Sequence, residues 1–274
     1  VYQRLDLARS RHLVTFFDSE RFARARLDSV IHLPFAAESA RVRIPGGIPS
    51  LVSETRRLLE ACKEARSIER FVYLSSAFVY QPEPGNANVV SESQALDLEA
   101  DVDAEIRAWI DADLLCQRDL NSRHLHVTIL RAAAILSDGG LFLQSPPLER
   151  GEPPPGFDPI FSVVSDRDVA RALLLALHAD KPGVYNVAGN EVFPHSELCT
   201  SSPHVGPFPV PGFVRDALSL VESALGLWRA GAHHRYGVVL DTRQAHDALG
   251  FEPWYRIEVR RAGEERRIDA VRCR

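Results

Sequence analysis

The sequence has no methionine, only four cysteines and three tryptophans, and no glycine before Gly46. Each shortage narrows the choices. Cys62, Cys116, Cys199 and Cys273 are far apart and form no C-x-x-C, which argues against a disulfide framework or a zinc site. A reduced, cytoplasmic setting is expected. No apolar run approaches the roughly 20 residues of a membrane span, and no signal peptide opens the chain, so no membrane partner is expected. Basic residues are not in excess: 32 Lys and Arg against 37 Asp and Glu give a net charge of −5. A phosphate-binding surface is usually basic, so nucleic acid is not expected as a partner. The chain begins with Val1, whereas a translated frame begins with Met; the expectation is a fragment that has lost its original N-terminus.

What is present is ample for a folded core. The chain has 274 residues, 45% of them hydrophobic, enough for one large α/β domain with a smaller lobe. The most informative stretch is Arg70-Phe71-Val72-Tyr73-Leu74-Ser75-Ser76. Its apolar and aromatic run is the pattern of a strand covered on both faces of a parallel sheet. Its serine pair falls where such sheets place their chemistry, at a carboxyl end. Val1 to Asp6 reads as a strand end closed by Asp6-Leu7. Ser29 to Leu33 reads as a strand ended by Pro34, and His126 to Leu130 as another ended by Arg131. Leu51 to Ala65 and Asp103 to Leu120 read as helices. Strands alternating with helices predict a doubly wound parallel sheet, a Rossmann-like α/β fold.

The second half is less regular. Proline-rich loops are expected over 144–159 and 203–211, the latter leading into an amphipathic helix through Trp228. A strand is expected at Phe161 to Val164, a helix at Val169 to Ala179, and a strand and turn at Val184 to Gly189. Asp241 followed by Gln244 reads as a capped helix start, with Gly250 as the stop. The tail from Arg256 mixes seven Arg with four acidic residues and is expected to be plain surface. His233-His234 is adjacent rather than i, i+4 spaced, so no metal site is expected.

In their order, these pieces resemble the extended short-chain dehydrogenase/reductase family, the NAD-dependent epimerase/dehydratases. Asp28-Ser29-Val30-Ile31-His32-Leu33 is similar to a D-x-V-I-H-L strand, and Leu58-Leu59-Glu60-Ala61-Cys62 to an L-L-E-A-C helix. Ser75 to Tyr80 is similar to S-S-x-x-V-Y, Asp168-Val169-Ala170 to D-V-A, and Tyr185 to Gly189 to Y-N-V-x-G. Asp241 through Pro253 is similar to D-x-x-[KR]-x-x-x-x-L-G-[FW]-x-P. The resemblance implies a Rossmann portion over residues 1–135 with returning pieces near 161–189. It implies a substrate lobe over 136–160 and 190–274. It implies NAD or NADP as cofactor, a nucleotide sugar or similar small molecule as substrate, and a possible homodimer. It also implies that Ser76 aligns substrate and that Asp6, Leu7, His32, Leu33, Pro34, Ser75 and Arg131 lie along the cofactor.

Two departures matter. No G-x-G-x-x-G or G-x-x-G-x-x-G occurs, so the turn that brings backbone N–H groups to a pyrophosphate is missing from these residues. The family's Tyr-x-x-x-Lys pair falls on Trp109 and Asp113. Tyr is an acid/base whose pKa the Lys cation lowers; indole cannot act so near neutral pH, and a carboxylate raises a neighbour's pKa. The catalytic candidates are therefore a degenerate set: Ser76, Trp109 and Asp113. Plain alternatives stand beside them. Ser76 could serve the turn, Trp109 and His32 could be packed in the core, Asp113 could be a solvated or hydrogen-bonded helix residue, and Arg131 could be solvated. Two functions follow: an NAD(P)-binding protein with altered or lost oxidoreductase or epimerase chemistry, or a non-catalytic NAD(P)-sensing regulatory protein on the same fold.

Overall fold

The computed structural model describes residues 3, 5–7, 9–34, 49–82, 89–100, 102–137, 141–143, 158–199, 233, 236–262 and 265–273. Along the chain these form α1 (Ser10–Phe17), α2 (Glu20–Ala25), β1 (Ser29–His32), α3 (Pro49–Glu64) and β2 (Arg70–Ser76). A 3-10 turn (Ala77–Val79) precedes α4 (Ala104–Gln117), β3 (His126–Ala132), β4 (Ala134–Ser137), β5 (Leu141–Leu143) and β6 (Ile160–Ser165). Then come α5 (Asp166–His178), β7 (Gly183–Val187), β8 (Val192–Pro194), α6 (His195–Cys199), α7 (Arg243–Leu249), β9 (Tyr255–Ala262) and β10 (Glu265–Arg272). None of the described helices is long and apolar enough to cross a membrane.

The aromatic run forms the strand expected of it. β2 lies inside a four-stranded sheet of order β1-β2-β3-β7, and every pair in it is parallel. Val30 stands beside Phe71, and Phe71 beside Val127. Alternation then sorts the side chains into two layers. Phe71 and Tyr73 of β2, with Val127 and Ile129 of β3, pack against α3 and α4. Val72 and Leu74, with Leu130 and Ala132, pack against α5. Both faces are covered, which is why the strands read as nearly continuous apolar runs. Each such buried side chain contributes about 1.5–3 kcal/mol.

A second sheet, of order β5-β4-β6-β8, continues from the first. β3 and β4 are separated by Ala133 alone, whose N–H donates to Val187 O at 2.8 Å. Phe161 to Val164 therefore forms a strand of this second sheet, parallel to β4. Gly189 ties the sheets together: its N–H donates to Val163 O at 2.7 Å, and a Cβ there would sit 2.8 Å from that oxygen.

Three expectations need correction. Residues 3 and 5–7 lie in no strand; a strand needs a hydrogen-bonded neighbour, and no described residue supplies one there. The tail from Arg256 is not plain surface. It forms most of the antiparallel β9–β10 hairpin, with Ile257 and Ile268 buried against the main core. α7 starts where expected, with Asp241 Oδ1 accepting from Arg243 N–H at 3.0 Å, but Gln244 does not complete a capping box and donates its amide to Val184 O instead. Gly250 does stop that helix, at φ +66°. The proline-rich segment 203–211 and the helix through Trp228 lie outside the described residues, as does 144–157.

Asp168 fastens the hairpin to the rest. Ser165 caps α5 by accepting from Asp168 N–H, and the fully buried Asp168 carboxylate accepts from the backbone N–H groups of Trp254 (2.8 Å) and Tyr255 (2.9 Å). Arg171 pairs with the same carboxylate at 3.3 Å and stacks 3.4 Å above the Trp254 ring centroid. Asp168→Ala strips several buried donors of their acceptor at once, and a loss of about 3–5 kcal/mol is expected in urea denaturation. Cleavage within the hairpin by a protease should accelerate in parallel. An unchanged urea midpoint would refute this account of the anchor.

Candidate active site

In a parallel sheet all carboxyl ends share one edge. At that edge Leu33 and Pro34 follow β1, Ser75 and Ser76 end β2, Arg131 and Ala132 end β3, and Asn186 lies near the end of β7. Register and parity decide what meets. Ser75 is paired with Arg131 and shares the parity of Phe71 and Tyr73, so both residues belong to the α4 layer. Ser76 is paired with Ala132 and shares the parity of Val72 and Leu74.

The layer under α4 contains a buried ion pair. Arg131 donates from Nη2 to Asp113 Oδ1 at 2.8 Å and from Nε to Oδ2 at 3.1 Å. The two side chains are 3% and 0% exposed. Ser75 Oγ donates to Asp113 Oδ2 at 2.6 Å, and Gln117, one turn along α4, donates to Oδ1 at 2.7 Å. Burial works against the charge on Arg131, but the hydrogen bonds and charge of Asp113 outweigh it and hold its pKa above the usual range. Arg131 is thus not the solvated strand end that its position allowed.

The network runs on across the sheet edge. The Arg131 guanidinium lies 4.8 Å from the centroid of the Tyr80 ring. Tyr80 donates its hydroxyl to Asn186 Oδ1 at 2.6 Å, and Asn186 donates to the carbonyls of Val90 and Asp241. Asn186 N–H donates to Glu92 Oε1 at 2.8 Å. Tyr80 and Asn186 stand inside motifs that the sequence displays, but nothing in one sequence pairs them. Could Tyr80 act as a proton donor? Burial pushes its pKa up to about 12 even though Arg131 pulls the other way. Tyr73, wholly buried, is pushed well above its ordinary value. Neither exchanges protons near neutral pH.

The other candidates are placed as follows. Ser76 is buried, and its Oγ accepts from Phe78 N–H at 3.3 Å, capping the 3-10 turn. Trp109 is buried in the layer of Phe71, Tyr73 and Ile110. His32 is buried too; its Nε2 shares a 2.9 Å hydrogen bond with Thr55 Oγ1 of α3, and its ring lies 5.6 Å from that of Tyr73. Leu33, by contrast, is 41% exposed, and Pro34 is half-buried. Asp6 pairs with Arg9 at 3.3 Å, and Leu7 O accepts from Arg57 of α3 at 3.5 Å. His233 pairs through Nε2 with the buried Asp97 at 3.0 Å. The structure therefore brings Ser75, Asp113 and Arg131 together, leaves Ser76 serving its turn, and puts Trp109 and His32 in packed layers.

No family model matches the sequence. Uncharacterised proteins of Mycobacterium tuberculosis and Mycobacterium bovis are 27% identical to it over 251 residues, 85% of this chain. The chain spans only 64% of their length. Among solved structures, UDP-glucose 4-epimerase from Thermotoga maritima with UDP-glucose superposes with a TM-score of 0.62 at 17% identity, covering 92% of this chain and 78% of that one. DesIV, a dTDP-glucose 4,6-dehydratase from Streptomyces venezuelae with NAD bound, gives 0.60 at 19%, covering 90% and 73%. RMD from Pseudomonas aeruginosa with NADPH gives 0.58 at 19%, covering 92% and 83%. The fold is that of the extended short-chain dehydrogenases/reductases.

Two measurements check the site. Asp113→Lys sets a second cation against buried Arg131 and should cost about 3–5 kcal/mol. Adding Arg131→Glu should recover a large part of that; strictly additive losses would show that the pair does not interact. His32 provides the second. Burial lowers its pKa from 6.5 to about 4, so the unfolded chain takes up a proton that the folded chain refuses. Its contribution to stability is complete above pH 6.5, declines as pH falls, and is gone below about pH 4, a loss of ~3 kcal/mol. His32→Gln should flatten that limb of the pH–stability curve; an unaltered limb would count against the assignment.

Proposed function

We propose that the chain is an NAD(P)-binding protein of the extended short-chain dehydrogenase/reductase type, with a nucleotide sugar or similar metabolite in its cleft and no Tyr–Lys proton chemistry. The observation that carries this reading is the Asp113–Arg131 pair. At the position where the family's lysine would lower a phenol's pKa stands a carboxylate whose charge is already matched. Four residues before it stands a buried indole, and the two phenols nearest the pair hold their protons.

The residues present fit a dinucleotide in part. Leu33 and Pro34 stand at the carboxyl edge, and the half-exposed Asp6 suits contact with an adenosine, as does the neighbouring Leu7. The side chains of Ser75, Arg131 and His32 are committed elsewhere, so any contact from those positions comes from the backbone. The cofactor would supply hydride exchange when bound. Its diphosphate needs a glycine-rich turn at a helix N-terminus, and residues 1–274 contain none. A second reading, an enzyme with a different proton donor, is favoured by Ser76, which ends β2 at the carboxyl edge.

Calorimetry on the 274-residue chain should show no tight NAD or NADP binding, and micromolar affinity would contradict the phosphate-turn argument. With cofactor supplied at millimolar concentration, the protein should show little dehydrogenase or epimerase turnover. Robust hydride transfer that survives Asp113→Asn would overturn the proposal in favour of the second reading.

A further inference from the structure

The amino edge of the parallel sheet holds a cation that the fold leaves unmatched. Arg70 opens β2 and shares the parity of Val72 and Leu74, so its side chain lies on the α5 side. Its Nε is buried and has no hydrogen-bond partner, and among the described residues no carboxylate pairs with its guanidinium. Buried polar groups are met by partners almost without exception, and a charged donor left unmet calls for a cause. Arg131, on the next strand and at the other edge, shows the contrast: its charge is wholly matched by Asp113.

The neighbours on that rim are basic as well. Register sets His126, exposed at the start of β3, beside Arg70 and on the same face. α5 leaves β6 at the carboxyl edge and returns the chain to β7, so its last residue, the exposed His178, ends over the amino edge. Tyr185, on the α5 side, donates its hydroxyl to Lys181 O at 2.7 Å, which brings the exposed Lys181 to the same rim. Opposing charge is scarce there. Glu69 has the parity of Phe71 and lies on the α4 side, Asp28 accepts from Ser29 Oγ, and Asp180 is exposed beside Lys181. Cations near a helix end offset its free carbonyls, and that accounts for His178. It does not account for Arg70, whose Nε donates to none of them.

We infer that this rim binds a phosphate group, free or carried on a small molecule, in the fork of Arg70 with His126 and Lys181 beside it. A guanidinium presents parallel N–H donors that match two oxygens of one phosphate, and Nε is part of that fork. The Arg70 side chain is only half-buried, so a turn of its terminal torsions brings Nε out to the anion. Lys181 adds a compact point charge. A nucleic acid fits poorly, because the chain as a whole has a net charge of −5. The rim lies at the opposite edge of the sheet from the cleft, and this site does not depend on what the cleft binds.

The test is NMR titration of the whole chain with inorganic phosphate and with phenyl phosphate, chloride being withdrawn to hold the ionic strength constant. The Arg70 Nε–H signal, assigned through its own backbone amide, should shift and saturate with a millimolar or tighter midpoint. Tighter binding of the ester marks a phosphorylated molecule as the source, and equal binding marks the free ion. Arg70→Lys keeps the charge but loses the fork, and should weaken the midpoint at least about tenfold; Lys181→Gln should weaken it at least about threefold. Arg11→Gln, on α1, should change nothing. The wild-type signal and the exposed Lys181 keep the test decisive even where an Arg70 variant does not fold. A signal that stays still, one that moves equally with chloride, or a midpoint indifferent to Lys181→Gln would each overturn the proposal.

Discussion

Two opposite unit charges with almost no access to water, packed between a parallel sheet and a helix, set the terms for everything around them. Taking either charge out of water alone would cost several kcal/mol. Arg131 and Asp113 are tolerable because two hydrogen bonds join them and because Ser75 and Gln117 satisfy the oxygens further. That requirement fixes α4 over the ends of β2 and β3, since Asp113 must reach a guanidinium projecting from the neighbouring layer. It also fixes Arg131 above Tyr80, and through Tyr80 it reaches Asn186 and the carbonyls of Val90 and Asp241. The amino-terminal sheet and the segment before α7 are thereby joined by polar contacts that cannot slip without exposing a charge.

The same requirement bears on the chemistry. A catalytic cation has to be spare, meeting the substrate or cofactor with charge still to give. In this protein the cation near the carboxyl edge is spent internally. The edge has the architecture of the extended short-chain dehydrogenase/reductase fold, and its electrostatics are closed into a structural unit.

Much of this was readable in the residues. Phe71 to Leu74, bracketed by polar residues, could hardly be anything but a central strand, and it lies between β1 and β3 in a parallel sheet. The parity that puts Ser75 and Arg131 on the α4 side was also present, because each lies two residues beyond a large apolar residue of its strand. Reading the edge by position rather than by face hid it. The hairpin shows the same lesson: Ile257 and Val259 alternate with charges, as do Ile268 and Ala270, but the density of arginine drew attention from the period of two. Other features had no local signal. Asp168 satisfies backbone N–H groups 86 and 87 residues away, and backbone donors leave no mark on sequence. Val1 to Asp6 reads as a strand end by composition, yet a strand is a property of two segments, and one segment does not show whether another pairs with it.

The Asp168 anchor has a consequence for biosynthesis. A ribosome delivers α5 well before Trp254 and Tyr255. Until those residues emerge, the amino end of α5 presents a carboxylate with half its final donors missing, and the apolar surface destined for Ile257 and Ile268 stays wet. Completion of the core therefore waits on Trp254, Tyr255 and the hairpin that follows them. Premature termination anywhere upstream of Trp254 would leave an exposed acidic helix start beside an uncovered apolar patch, a pairing that quality-control proteases can recognise while most of the parallel sheet is already built.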